Sequence, residues 1–144
     1  MLVVLDAGVF VSAAITPGGV ASRIVTAGVE DRFDYVLCPR LVSELTDVLG
    51  RRKIKRLISD EDGRRFLAEV LAAGREVNDP AEVAPLSRDP DDDYLLGLAD
   101  EHQAEWVVTG DADLLDMADP PVTVIGLRVF LELLTAESLS ASEV

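Results

Sequence analysis

Four short runs of apolar, β-favouring residues punctuate the chain: Leu2–Leu5, Tyr35–Cys38, Trp106–Thr109 and Val122–Ile125. Each is continuous rather than alternating, the pattern of a strand buried on both faces. Between them the spacing predicts helices over Val20–Val29, Pro39–Leu49, Asp60–Ala73, Asp92–Gln103, Asp111–Met117 and Leu127–Leu134. Proline suits the first turn of the second helix, and Gly50 and Gly74 follow helices as stops. The stretch Val77–Asp91 holds three prolines and reads as a loop. Strands alternating with helices predict an α/β domain with a parallel sheet. The 144 residues suit one domain, expected over residues 1–137, with Ser138–Val144 as a frayed tail.

Composition narrows the chemistry. Apolar residues are 49% and charged residues 28%, which excludes a disordered chain. No apolar run approaches the ~18 residues of a membrane span, so no membrane partner is expected and a cytoplasmic location is. The single cysteine, Cys38, excludes an internal disulfide or a Cys-based zinc cluster, and is expected to be a small buried hydrophobe. One histidine, His102, makes a His-dependent site a poor reading. The turn Thr16-Pro17-Gly18-Gly19 lacks the ending of a phosphate loop. Carboxylates are left to carry the chemistry.

There are 27 acids against 13 bases, a formal net charge of −14, and the two signs are segregated. Between Glu76 and Asp119 fourteen acids face one base, Arg88. Seven of the thirteen bases fall within Arg51–Arg65. Such a balance argues against a general nucleic-acid binder, yet it suits an enzyme that meets nucleic acid through cations and one basic patch. The candidate patch is Arg51, Arg52, Lys53, Lys55 and Arg56. It is either a solvated turn or a contact for RNA phosphates or an acidic protein segment.

Placed on the predicted elements, several acids converge. Asp6 directly follows the first strand, and Asp111 lies two residues beyond Thr109, with Asp113 two further on. The carboxyl ends of parallel strands form the ligand crevice of such sheets. On Pro39–Leu49, Glu44 shares the apolar stripe of Leu41 and Val48, whereas Asp47 neighbours Ser43 and Arg51. In Asp89-Pro90-Asp91-Asp92-Asp93, Asp92 shares the face of Leu95, Leu96 and Ala99, while Asp93 aligns with Gly97 and Asp100 nearer the solvent. Converging carboxylates repel one another unless protons or cations compensate. Oxygen-only ligands select hard cations, Mg²⁺ or Mn²⁺.

These residues carry a resemblance. Val3-Val4-Leu5-Asp6-Ala7-Gly8-Val9-Phe10, Pro39-Arg40-Leu41-Val42-Ser43-Glu44-Leu45, Arg88-Asp89-Pro90-Asp91-Asp92-Asp93-Tyr94-Leu95-Leu96 and Val107-Val108-Thr109-Gly110-Asp111-Ala112-Asp113-Leu114-Leu115 resemble, in order and spacing, the four acidic motifs of PIN domains. The likeness runs over about Leu2 to Leu134 and is to the small bacterial toxin-type members of toxin–antitoxin modules (VapC-like). It implies an α/β/α sandwich around a central parallel sheet, with a short apolar helix after the first acid. It also implies an Mg²⁺- or Mn²⁺-dependent endoribonuclease with Asp6, Glu44, Asp92 and Asp111 as metal-binding and catalytic acids. Asp113, Thr109 and Asp93 would support them. RNA would be the substrate, a small antitoxin the protein partner, and a homodimer the expected assembly. Gly8 stands where the family usually carries a polar residue, often Asn. That departure raises the alternative of a catalytically impaired binding or scaffold module. A haloacid-dehalogenase-type phosphatase would need an acid at Gly8, and a receiver domain a late lysine, whereas no lysine follows Lys55.

Overall fold

The computed structural model describes residues 1–81 and 90–142, without the side chains of residues 90–92 and 140–142. The chain opens with β1 (Leu2–Leu5), α1 (Ala7–Ile15), α2 (Val20–Val29) and β2 (Asp34–Leu37). An arm follows: α3 (Pro39–Leu49), α4 (Arg52–Lys55) and α5 (Asp60–Ala73), which returns to β3 (Arg75–Glu76). The last part is α6 (Pro90–Glu101), β4 (Trp106–Val108), α7 (Ala112–Leu115), β5 (Thr123–Ile125) and α8 (Leu127–Ser142).

Among the described residues the strands form one parallel sheet in the order β3-β2-β1-β4-β5. Val3 pairs with Trp106 and Leu5 with Val108, so β1 and β4 end level with each other. The predicted α/β sandwich around a parallel sheet is the observed architecture. From β1 the chain first builds outward to one side, through β2 and β3, and then returns to place β4 on the other side. The order therefore reverses between β1 and β4, and the crevice beyond their carboxyl ends is where such sheets bind ligands.

Central strands buried on both faces explain the continuous apolar runs. Val3, Val4, Leu5, Val107 and Val108 are inaccessible to solvent. Tyr35 fills the middle of the core, edge-on to Phe10, with its hydroxyl donating to Val70 O at 2.6 Å. Two glycines make room for it. A Cβ at Gly28 would lie 2.8 Å from Tyr35 Cδ1, and one at Gly74 would overlap Leu37 and come 2.9 Å from Tyr35 Cε2. Gly74, extended at φ −75° and ψ 155°, is thus required by close approach and not by its backbone angles. Trp106 packs edge-on against Phe130, a packing role at that strand. Cys38 is buried, as expected.

Some expectations fail for physical reasons. Asp93 is only 4% exposed, not on the solvent side. Helix α6 packs on both β1 and β4, and the consecutive residues Asp93, Tyr94, Leu95 and Leu96 are all buried, so this turn has no solvent face. It starts at Pro90, two residues before the predicted start. Helix α8, predicted to end at Leu134, continues to Ser142. Arg32 helps to hold it, with its guanidinium donating to Leu134 O at 3.1 Å and to Ser138 Oγ. The pattern also missed α4, a single turn, and β3, two exposed residues. Most of the predicted loop Val77–Asp91 lies outside the described residues.

Candidate active site

Asp6 ends β1 and caps α1. Extended at φ −61° and ψ 147°, it accepts at Oδ1 from the Gly8 N–H at 3.0 Å. Its own N–H donates across the sheet to Val108 O at 3.1 Å, which fixes it level with the end of β4. Asp111 does the same for α7, where its Oδ1 accepts from the Asp113 N–H at 2.9 Å. Thr109, fully buried between them, joins the two. Its hydroxyl donates to Asp6 Oδ2 at 2.7 Å and accepts from the Asp111 N–H at 3.0 Å. Two cap acids and one hydroxyl thus form a single hydrogen-bonded chain across the switch point. Both carboxylates are half-buried, so each keeps lone pairs that this chain does not use.

Glu44 lies on α3, which opens one residue after the carboxyl end of β2. It is half-buried while Asp47 is exposed, in agreement with the stripe of Leu41, Glu44 and Val48. Tyr94 Oη lies 3.5 Å from Glu44 Oε1. Burial foremost, then the charge of Glu44 and more weakly that of Asp6, pushes the Tyr94 phenol far above its usual range. One buried tyrosine therefore senses acids from both α3 and β1. The Arg40 guanidinium lies 4.1 Å from the centroid of its ring. Asp113 is exposed, and the side chain of Asp92 lies outside the described residues. Composition and spacing did not single out Arg40 or Tyr94. The signal that could have found them was their place inside the acidic motifs, four residues before Glu44 and two after Asp92.

The donor set has the chemistry of a hard cation: carboxylates and a hydroxyl, with no sulfur or imidazole. Among the described residues no group of three or more His, Cys, Asp or Glu side chains is gathered closely enough to enclose a metal.

The basic residues follow α3, on α4 and its two caps. Arg51 follows Glu44 by seven residues in the sequence. Arg51, Arg52, Lys53 and Arg56 are exposed, and none is in an ion pair with a described residue. Lys55 differs, because its Nζ lies 3.8 Å from Asp60 Oδ1.

A family model described as PIN domain matches residues 2–113. The chain belongs to the PIN domain family, whose members are generally nucleases and typically use divalent metals. Among individual proteins it is similar to the uncharacterized protein MJ1680 of Methanocaldococcus jannaschii, 26% identical over 117 residues, 81% of this chain and 75% of that protein. The crystal structure of PAE2754 from Pyrobaculum aerophilum matches with a TM-score of 0.65 at 16% identity, over 94% of this chain and 89% of that one. A second crystal structure, VapBC2 from Rickettsia felis bound to a DNA fragment from their promoter, matches with a TM-score of 0.59 at 13% identity, over 88% and 98%. At those identities the two structures speak for the fold.

Proposed function

We propose that this protein is a metal-dependent endoribonuclease, the toxin component of a toxin–antitoxin pair. The observation that carries the nuclease reading is the Asp6–Thr109–Asp111 chain at the β1/β4 switch point. The carboxylates of Asp6, Glu44, Asp92 and Asp111 would hold Mg²⁺ or Mn²⁺, with Asp113 and Asp93 supporting. Such a cation, when bound, supplies charge to the phosphate and lowers the pKa of water. The chain's own part is positioning. Thr109 and the Gly8 N–H restrain Asp6 from either side, and Thr109 and the Asp113 N–H restrain Asp111. Arg51, Arg52, Lys53, Lys55 and Arg56 would take RNA phosphates beside this edge.

The toxin reading rests on the resemblance and on a fold shared with a VapBC assembly. An antitoxin of this site would present a cation, for instance an arginine, to the acids and so compete with the metal. A homodimer and a cytoplasmic location belong to the same reading.

Gly8 favours the scaffold alternative, since a Cβ there would sit 3.8 Å from Asp6 Oδ1, in space that an asparagine could use. Against it, the backbone N–H of Gly8 already supplies a donor to that oxygen. Incubation with structured RNAs, with and without Mg²⁺ or Mn²⁺, tests the proposal. Cleavage that requires the cation supports it, and its absence under all conditions favours the scaffold.

A further inference from the structure

Five large apolar side chains stand exposed among the described residues. Three lie on α8, and the other two, Leu57 and Leu115, each sit among charges of one sign. Leu57, 58% exposed, follows Arg56 at the end of α4, one turn from Lys53. Asp60, the next acid in the sequence beyond it, is in an ion pair with Lys55. Leu115, 39% exposed, ends α7 beside Asp116, with Asp113 two residues before it and Asp111 a turn away. No base lies between Arg88 and Arg128 in the sequence to offset these acids. Asp113 and Asp116 are exposed, and like Arg51, Arg52, Lys53 and Arg56 of the arm they are in no ion pair with a described residue. The two patches belong to opposite sides of β1 in the sheet: the arm connects β2 to β3, and α7 connects β4 to β5.

RNA does not account for either leucine. Phosphates need only the charge of the arm, and an aliphatic side chain has no ring on which a base could stack. A second copy of the chain accounts for both. Two chains of net charge −14 repel one another unless patches of opposite sign meet. A basic patch around one exposed leucine and an acidic patch around another are complementary in charge and in apolar surface, and every copy carries both. We propose that two copies pair about a two-fold axis, with the arm of each packed on α7 of the other. Leu57 then meets the partner's Leu115, and Lys53 and Arg56 face the partner's Asp113 and Asp116, each contact being made twice by symmetry. Because α7 directly follows Asp111, the arm stands beside the acidic edge of the other copy and offers Arg51 and Arg52 to RNA phosphates there in trans. That consequence rests on the nuclease and homodimer reading, but the pairing itself can be tested without metal or RNA.

Sedimentation equilibrium of the full chain, free of metal and RNA, tests the pairing by charge reversal. Wild type should be a dimer. Arg56→Glu and Asp116→Arg should each weaken dimerisation about tenfold or more, because like charges then face each other twice. Mixed in equal amounts, the two variants should form a heterodimer of wild-type affinity, since the reversed arm meets the reversed α7 and the native arm the native α7. That recovery also shows that both variants fold. A monomeric wild type, a dimer indifferent to both variants, or weakened variants that do not recover on mixing each overturns the proposal. RNA cleavage is the second readout. Excess Asp6→Asn protein, whose own edge is disabled but whose arm is intact, should raise cleavage by the Arg51→Glu/Arg52→Glu protein several-fold. No rise overturns the action of the arm in trans. Failure of wild type to cleave RNA contradicts the nuclease instead, and sedimentation then decides the pairing alone.

Discussion

The two charged regions that α3 connects are built in opposite ways. At the acidic edge, Asp6 and Asp111 are each tied by two hydrogen bonds, one of them through a fully buried threonine. On the arm, Arg51, Arg52, Lys53 and Arg56 stand in solvent without ion-pair partners among the described residues. Groups that must meet a reacting phosphate with a cation need fixed geometry, because a small misplacement costs large factors in rate. Groups that only attract a polyanion need charge, and order would cost them entropy without improving the attraction. The arm can therefore be mutated in many ways with graded effects, whereas the edge cannot.

The largest expected effect follows from that contrast. Asp6→Asn and Asp111→Asn should each lower cation-dependent RNA cleavage by about a hundredfold or more, the scale of removing one group that stabilises transition-state charge. Folding should survive, since like-charge repulsion falls. Urea unfolding beside the cleavage rate separates the two effects. Next comes Thr109→Val. It removes the hydroxyl shared by both acids and leaves the Asp111 N–H without its acceptor. A stability loss of about 1–3 kcal/mol is expected, with cleavage reduced about tenfold. A variant with full activity would show that the hydrogen-bonded chain does not position the acids.

On the arm, Arg51→Glu with Arg52→Glu should weaken cleavage only several-fold at moderate salt. The dependence on log salt should flatten by roughly 0.7 for each phosphate of single-stranded RNA that the arm no longer neutralises. An unchanged slope would mean that the arm meets no phosphate. Smallest of all are alkaline effects on stability. Burial, then the charge of Asp31, pushes the Tyr35 phenol up to about 12, and burial pushes the Cys38 thiol up to about 11. Both groups hold their protons more tightly when folded. Their contribution is full below the unfolded values and fades as pH rises, from about 9 to 11 for Cys38 and about 10 to 12 for Tyr35. Denaturation midpoints at pH 8 and pH 11 should differ less in Tyr35→Phe than in wild type.

Much of this was legible in the sequence because the relevant signals are local. Continuous apolar runs marked the central strands, and Pro39, Gly50 and Gly74 marked the helix ends. Glu44 was placed correctly against Asp47 because α3 has one buried face and one wet one. The same argument misplaced Asp93, because the turn Asp93–Leu96 is buried on all sides and phase carries no information there. Helix α1 came only from the resemblance, since its residues are apolar nearly throughout and lack the polar face that periodicity needs. The roles of Thr109 and Tyr94 depend on contacts spanning 103 and 50 residues, which no local pattern encodes.

The central claim is that the β1/β4 edge, and not the arm, is the cation site. Calorimetric titration with Mn²⁺ of wild type, Asp6→Asn, Asp111→Asn and Arg51→Glu tests it most directly. Binding in wild type and Arg51→Glu that is absent from both aspartate variants is the predicted result. Equal Mn²⁺ binding in all four proteins, or none in wild type, would contradict it.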